Sequence, residues 1–174
     1  GHSGTRWGNE KYQERPGIGY GKRGEYLDSH IMPSGHIFTV EGLSVFSNDL
    51  SELWGLLAIL NSSACSYLLH FYSGQHKMSG YVEKLPLPMN KTIVNNFSKS
   101  SKDIFYKKRI FDRLNEISAE FVSWDFINDI TNSFKLAAEK LIFEDKSVCN
   151  DVSNLDQLIS FSYGFNHEKI LDDS

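Results

Sequence analysis

Residues 12–24 read Y-Q-E-R-P-G-I-G-Y-G-K-R-G, and residues 30–46 read H-I-M-P-S-G-H-I-F-T-V-E-G-L-S-V-F. Gly17, Gly19, Gly21 and Gly24 leave the first run free to take positive φ or to approach another group closely. Read for those glycines, the run is a loop, and Tyr20, Lys22 and Arg23 sit inside it. Cations and an aromatic on a glycine loop suit contact with phosphates or base edges. The second run carries apolar pairs and triplets broken by turn residues. Ile31–Met32, His36–Val40 and Leu43–Phe46 read as short strands, separated by Pro33-Ser34-Gly35 and Gly42.

Downstream, the pattern changes to helix. Asp49 is a candidate N-cap with Glu52 three residues on. Leu53, Trp54, Leu56, Leu57 and Leu60 form the apolar face that follows. Asn61-Ser62-Ser63 interrupts this helix and can cap a second one through Ala64–Phe71. Gly74 and Gly80 bracket a polar loop, and Tyr81–Leu85 reads as a short strand stopped by Pro86 and Pro88. Beyond Pro86–Asn96 everything reads as helix. Ile104, Phe111, Leu114, Ile117 and Phe121 make one stripe; Ile127, Ile130, Phe134, Ala137 and Leu141 make a narrower seam. Ser153 or Asn154 can cap a further helix through Leu155, Leu158 and Ile159, with Gly164 at its end and Asn166 capping a last short one. The expected fold is α+β: a small, mostly antiparallel sheet with helices over 1–94, followed by a helical C-terminal subdomain over 95–174.

Composition bounds the rest. The chain has 174 residues, 40% hydrophobic and 13% aromatic, enough for a packed core. No apolar run approaches the ~18 residues of a membrane span, so no membrane partner is expected. The N-terminus is polar and shows no secretory signal, and its start at Gly1-His2 reads as an expression-tag scar or a fragment cut from something longer. Cys65 and Cys149 fit no zinc spacing and suit a reduced, cytoplasmic setting. The net charge of −4 is unevenly spread. Residues 1–94 balance 8 cations against 8 acids; residues 99–113 hold 6 against 2, including Lys107, Lys108 and Arg109; residues 116–174 hold 4 against 12. Local sign, not the average, decides which face can meet DNA.

Catalytic patterns are absent from the sequence. The histidines 2, 30, 36, 70, 76 and 167 include no i, i+4 metal pair and read as surface or strand residues. Gly17-x-Gly19-x-Gly21 opens no helix, so it is not a dinucleotide fingerprint. There is no phosphate-binding P-loop, no glycine-rich S-adenosylmethionine loop after a strong strand, and no Asn-Pro-Pro-Tyr segment. The chain is expected to carry no chemistry and no cofactor of its own.

Five segments in order resemble the C-terminal part of adenine-specific DNA methyltransferases of the Type IIG restriction–modification and BREX phage-defence (PglX-type) kind. They are Gly17-Ile-Gly-Tyr-Gly-Lys-Arg23, Met32-Pro-Ser-Gly-His-Ile-Phe38 with Gly42 after it, Leu56-Leu-Ala-Ile-Leu-Asn-Ser62, Leu85-Pro-Leu-Pro88 and Tyr163-Gly-Phe165. Gly19-Tyr20 stands where that family has Thr-Trp. The resemblance implies a target recognition domain that grips double-stranded DNA. It also implies an upstream methyltransferase domain of the same polypeptide that methylates N6 of adenine with S-adenosylmethionine.

On that reading Arg15, Lys22 and Arg23 contact phosphates or read guanine, where a good bidentate pair discriminates by ~1–3 kcal/mol. Tyr20 either stacks beside the duplex or packs under the loop. His76, Lys77 and Lys84 form a second contact loop, and Lys107, Lys108 and Arg109 track the backbone. Two other classes stay open: a protein–protein docking module with no DNA contact, and a stand-alone enzyme whose titratable groups converge in a pocket.

Overall fold

The computed structural model describes residues 9–39, 41–74, 76–88, 90–112, 118 and 134–165. It has an α+β fold, a three-stranded antiparallel sheet with helices stacked on one face. Strand β1 is Gly17–Gly21, β2 is His30–Met32 and β3 is Gly42–Val45, in the order β2-β1-β3. The helices are α1 (Leu53–Leu60), α2 (Ser63–Ser73), α3 (Ser79–Val82), α4 (Lys91–Asp112) and α5 (Phe134–Ser162).

The glycine run is the first correction: it is the central strand, not a loop. Ile18 pairs with Ile31 and Val45, and Tyr20 pairs with Leu43. Strand residues alternate faces, so Ile18 and Tyr20 point into the core with their cross-strand partners. Gly17 and Gly19 point the other way, under the Phe46 and His30 rings. A Cβ on Gly17 would lie 2.9 Å from the Phe46 ring, and one on Gly19 would lie 2.6 Å from His30 Nε2. The spacing therefore serves ring-over-glycine packing across the sheet.

Two expected strands are not strands. Residues 36–39 satisfy their backbone elsewhere. The His36 carbonyl accepts from Glu14 N, Phe38 N donates to the Gln13 side chain, and Thr39 N donates to the Gly42 carbonyl. Tyr81–Leu85 is instead the end of α3 and a run of turn bonds, which buries Val82 and Leu85 at helical i, i+3 spacing.

The helix starts follow their caps. Asp49 accepts from Ser51 N at 2.9 Å on the 3-10 turn Leu50–Glu52 that leads into α1. Ser62 accepts from Cys65 N at 3.1 Å and starts α2. Asp156 of α5 adds its carboxylate to that start, taking Ser63 N at 2.8 Å and Ser63 Oγ at 2.7 Å, where negative charge is favoured by the helix dipole. The break at residues 61–62 turns the segment Leu50–Leu60 by 72° from Ser63–Ser73.

Ser153 and Asn154 cap nothing; they lie inside the continuous α5. Its end is as expected. Gly164 has φ +76°, its N–H reaches the Phe161 carbonyl, and Phe165 N reaches the Ser160 carbonyl, which is a Schellman closure. Leu114, Ile117, Phe121, Ile127, Ile130 and Asn166 lie outside the described residues.

Two core clusters share α1. Leu53, Leu57 and Leu60 face the sheet and α2, with Ile18, Tyr20, Leu27, Cys65 and Leu69. Ala58 and Ile59 face Phe97 of α4 and Leu155 and Ile159 of α5. A helix buried on both sides reads as apolar all round, which explains L-W-G-L-L-A-I-L. Gly55 lets α4 approach, since a Cβ there would lie 2.6 Å from the Val94 carbonyl oxygen. Helix α4 thus packs on α1 from its first turns, and the 94/95 division falls inside it. Among the described residues no single helix is long and apolar enough to cross a membrane.

Candidate nucleic-acid interface

Strand β1 ends in a loop that returns on itself, with Gly21 N bonded to the Leu27 carbonyl. Within that loop Arg23 pairs in antiparallel sense with His76, from the segment after α2. Lys77 N donates to the Lys22 carbonyl at 2.7 Å, so Arg23 and His76 face each other as a non-hydrogen-bonded pair. Side chains of such a pair stand on the same face, with Cα atoms about 4.5 Å apart. Both residues are exposed. Among the described residues the Arg23 guanidinium makes no hydrogen bond or ion pair, although it adds to the field that keeps Glu41 ionised.

The neighbours of this pair are already engaged. Lys22 Nζ lies 3.0 Å from Glu41 Oε1, across the ladder that continues from Gly21↔Gly42. The hydrogen bond from Lys22, then its charge, hold the Glu41 carboxyl below its usual range. Lys77 is 1% exposed, and its Nζ donates to the Gly74 carbonyl at 2.5 Å, at the C-terminal end of α2. A cation there meets the negative end of the helix dipole. Desolvation lowers the Lys77 pKa. Lys77 is thus no contact residue; it ties the His76 segment to α2.

Tyr20 is also removed from the contact set. It is 2% exposed in the core, and burial pushes its phenol up to about 12. Of the two readings of Tyr20, packing is the one the fold adopts.

The remaining candidates stand elsewhere. Arg15 precedes β1, its guanidinium 5.5 Å from the Tyr12 ring centre, and Tyr12 in turn stacks on Phe46. The strand separates it from Lys22 by roughly 20 Å. Lys84 is exposed after α3. Lys107 pairs with Asp151 of α5 at 2.6 Å, so part of the basic stripe is matched by the acidic helix. Arg109 is exposed on the same helix, and Lys108 opens into a cleft beside β2. The structure therefore gathers Lys22, Arg23 and His76 and leaves Arg15, Lys84 and the α4 cations apart.

The outer face of Gly17 and Gly19 is filled by Phe46 and His30, and the chain runs from β1 into a loop. Among the described residues no group of three His, Cys, Asp or Glu is placed to hold a metal ion. Cys65 is buried and Cys149 exposed, and both are free. Sequence reasoning missed the Arg23–His76 adjacency because 53 positions separate the two; only the ladder joins them. It also missed Asn61, which brackets Ser29 by donating to its carbonyl at 2.9 Å and accepting from its N–H at 2.8 Å.

No protein-family model matches this chain, and no curated protein matches it in sequence.

Proposed function

We propose that this chain is a DNA-contacting recognition module, with Arg23 and His76 as its central contact pair. The observation that carries the reading is their cross-strand pairing at an exposed loop, beside a lysine engaged by Glu41 and another tied to a helix end. An arginine whose backbone is held by a ladder loses less conformational freedom on binding than one on a free loop. Arg is suited to phosphate and guanine through its planar fork of donors. The five ordered segments that resemble adenine-specific methyltransferases support the finer reading. In it the chain reads target sequence for a catalytic domain elsewhere in the same polypeptide, and S-adenosylmethionine binds there.

A docking module is the second reading. It is favoured by large apolar side chains left exposed on the helices, among them Phe71 of α2 and Phe161 of α5, the latter 80% exposed.

The test is fluorescence anisotropy of the chain with a labelled duplex across a salt series, followed by selection from a random-sequence pool. The proposal predicts that log affinity falls linearly with log salt and that the selected duplexes share a motif. No binding, or binding indifferent to salt, would contradict it and leave the docking reading ahead.

A further inference from the structure

A second site lies away from the Arg23–His76 pair. A cleft of about 470 Å³ opens between the segment leading into β2, the α1–α2 junction, α4 and α5. That volume is within the usual range of small-ligand sites. Its floor is apolar, from Leu57, Ile104, Leu155 and Ile159. The Phe105 ring forms part of one wall and is held edge-on by Trp54, 5.0 Å away between centroids.

Two opposite charges line this cleft without meeting. Lys108 stands on the α4 wall, one turn beyond Ile104. Asp28 stands on the β2 side, in a turn where its φ is +48°. Among the described residues neither charge has a hydrogen bond or ion pair, so the two are too far apart to bridge each other. The other acid in the lining, Asp156, is committed to the start of α2.

Ser29 supplies a further unmet group. Asn61 holds its backbone from both sides, yet its Oγ is buried with no hydrogen-bond partner. Buried polar atoms in folded proteins nearly always have a partner; this one is closed off from the cleft as well as from solvent, so it takes no part in binding there.

We propose that the cleft binds an aromatic zwitterion of amino-acid size. Lys108 takes its carboxylate, Asp28 takes its ammonium, and the ring rests on the apolar floor beside Phe105. Singly charged analogues would leave one wall unmatched. The inference does not depend on the DNA reading, because none of its residues belongs to the Arg23–His76 pair.

The experiment is calorimetric titration of the full chain with L-phenylalanine, 3-phenylpropionate and 2-phenylethylamine at low salt. L-phenylalanine is expected to bind about fivefold more tightly than either analogue, the scale of one surface ion pair. Lys108→Met should weaken L-phenylalanine and 3-phenylpropionate and spare the amine; Asp28→Asn should weaken L-phenylalanine and 2-phenylethylamine and spare the acid. Both positions are exposed, so the variants are expected to fold, and circular dichroism verifies this. Equal binding of the three probes, no binding of L-phenylalanine at about 20 mM, or indifference to both substitutions would overturn the proposal.

Discussion

Gly55→Ala is expected to destabilise the fold by about 2 kcal/mol, although alanine is the better helix former. Two effects oppose each other at this position. Inside α1, alanine lowers the conformational cost and gains ~1 kcal/mol over glycine. Against that, its Cβ would lie 2.6 Å from the Val94 carbonyl oxygen and 2.8 Å from both Ser98 Oγ and Val94 Cγ1. Ordinary contact needs roughly 3.5 Å, so α4 must recede by most of an ångström along its closest approach to α1. A gap of that size forfeits a quarter to a half of each dispersion contact nearby, and overpacking of this kind costs ~1–3 kcal/mol. The obstacle is backbone, which cannot swing away, so the cost belongs at the upper end. The net loss should lower the melting temperature by about 4–8 °C in a chain of this size. Urea titration followed by circular dichroism reads it directly. Gly80→Ala is the control, since nothing lies within 4 Å of its added Cβ. A Gly55→Ala protein as stable as the parent, or more stable, would refute the close α1–α4 packing.

Three further outcomes follow from named contacts. Asn61→Ala removes both bonds to the Ser29 backbone and should cost ~1–2 kcal/mol in the same urea assay; an unchanged midpoint would count against the clamp. Burial raises the Cys65 thiol from 9.0 to about 12, so its contribution is present below pH 9 and lost as pH rises toward 12, whereas Lys77, with a lowered pKa, favours the fold increasingly as pH climbs toward the ordinary lysine value. Cys65→Ala should therefore lose stability less steeply above pH 9 than the parent, and Lys77→Met more steeply; parallel slopes would contradict both burials. Glu41→Gln releases Lys22 and should tighten DNA binding severalfold at low salt, and unchanged affinity would show that Lys22 stays outside the contact.

The α+β class, the caps at Asp49 and Ser62 and the Schellman end at Gly164 were legible because each rests on local chemistry within a few residues. The central strand was misread for a physical reason. Four glycines suggested a loop, while the signal that decides the element is the period-2 alternation of Ile18 and Tyr20 between them. Tyr81–Leu85 was misread the other way: a β-branched and aromatic run looked like strand, and tertiary burial of Val82 and Leu85 selected a helical turn. Arg23, Lys22 and the α4 cations could be named as candidates from the sequence. Their pairing could not, because Glu41, His76 and Asp151 reach them only through the ladder and the helix packing. The cleft beside Lys108 was illegible for the same reason, being assembled from four separate stretches of chain.

The most direct test of the DNA reading compares the chain with its Arg23→Ala variant in anisotropy titrations against one duplex across a salt series. Arg23 is exposed and unbonded by side chain among the described residues, so its removal leaves the fold in place. The account predicts weaker binding and a log–log salt slope shallower by about 0.9, the release expected for one lost phosphate contact, or, for a base contact, a loss of ~1–3 kcal/mol confined to particular sequences. Equal affinity, slope and sequence preference for the two proteins would contradict it.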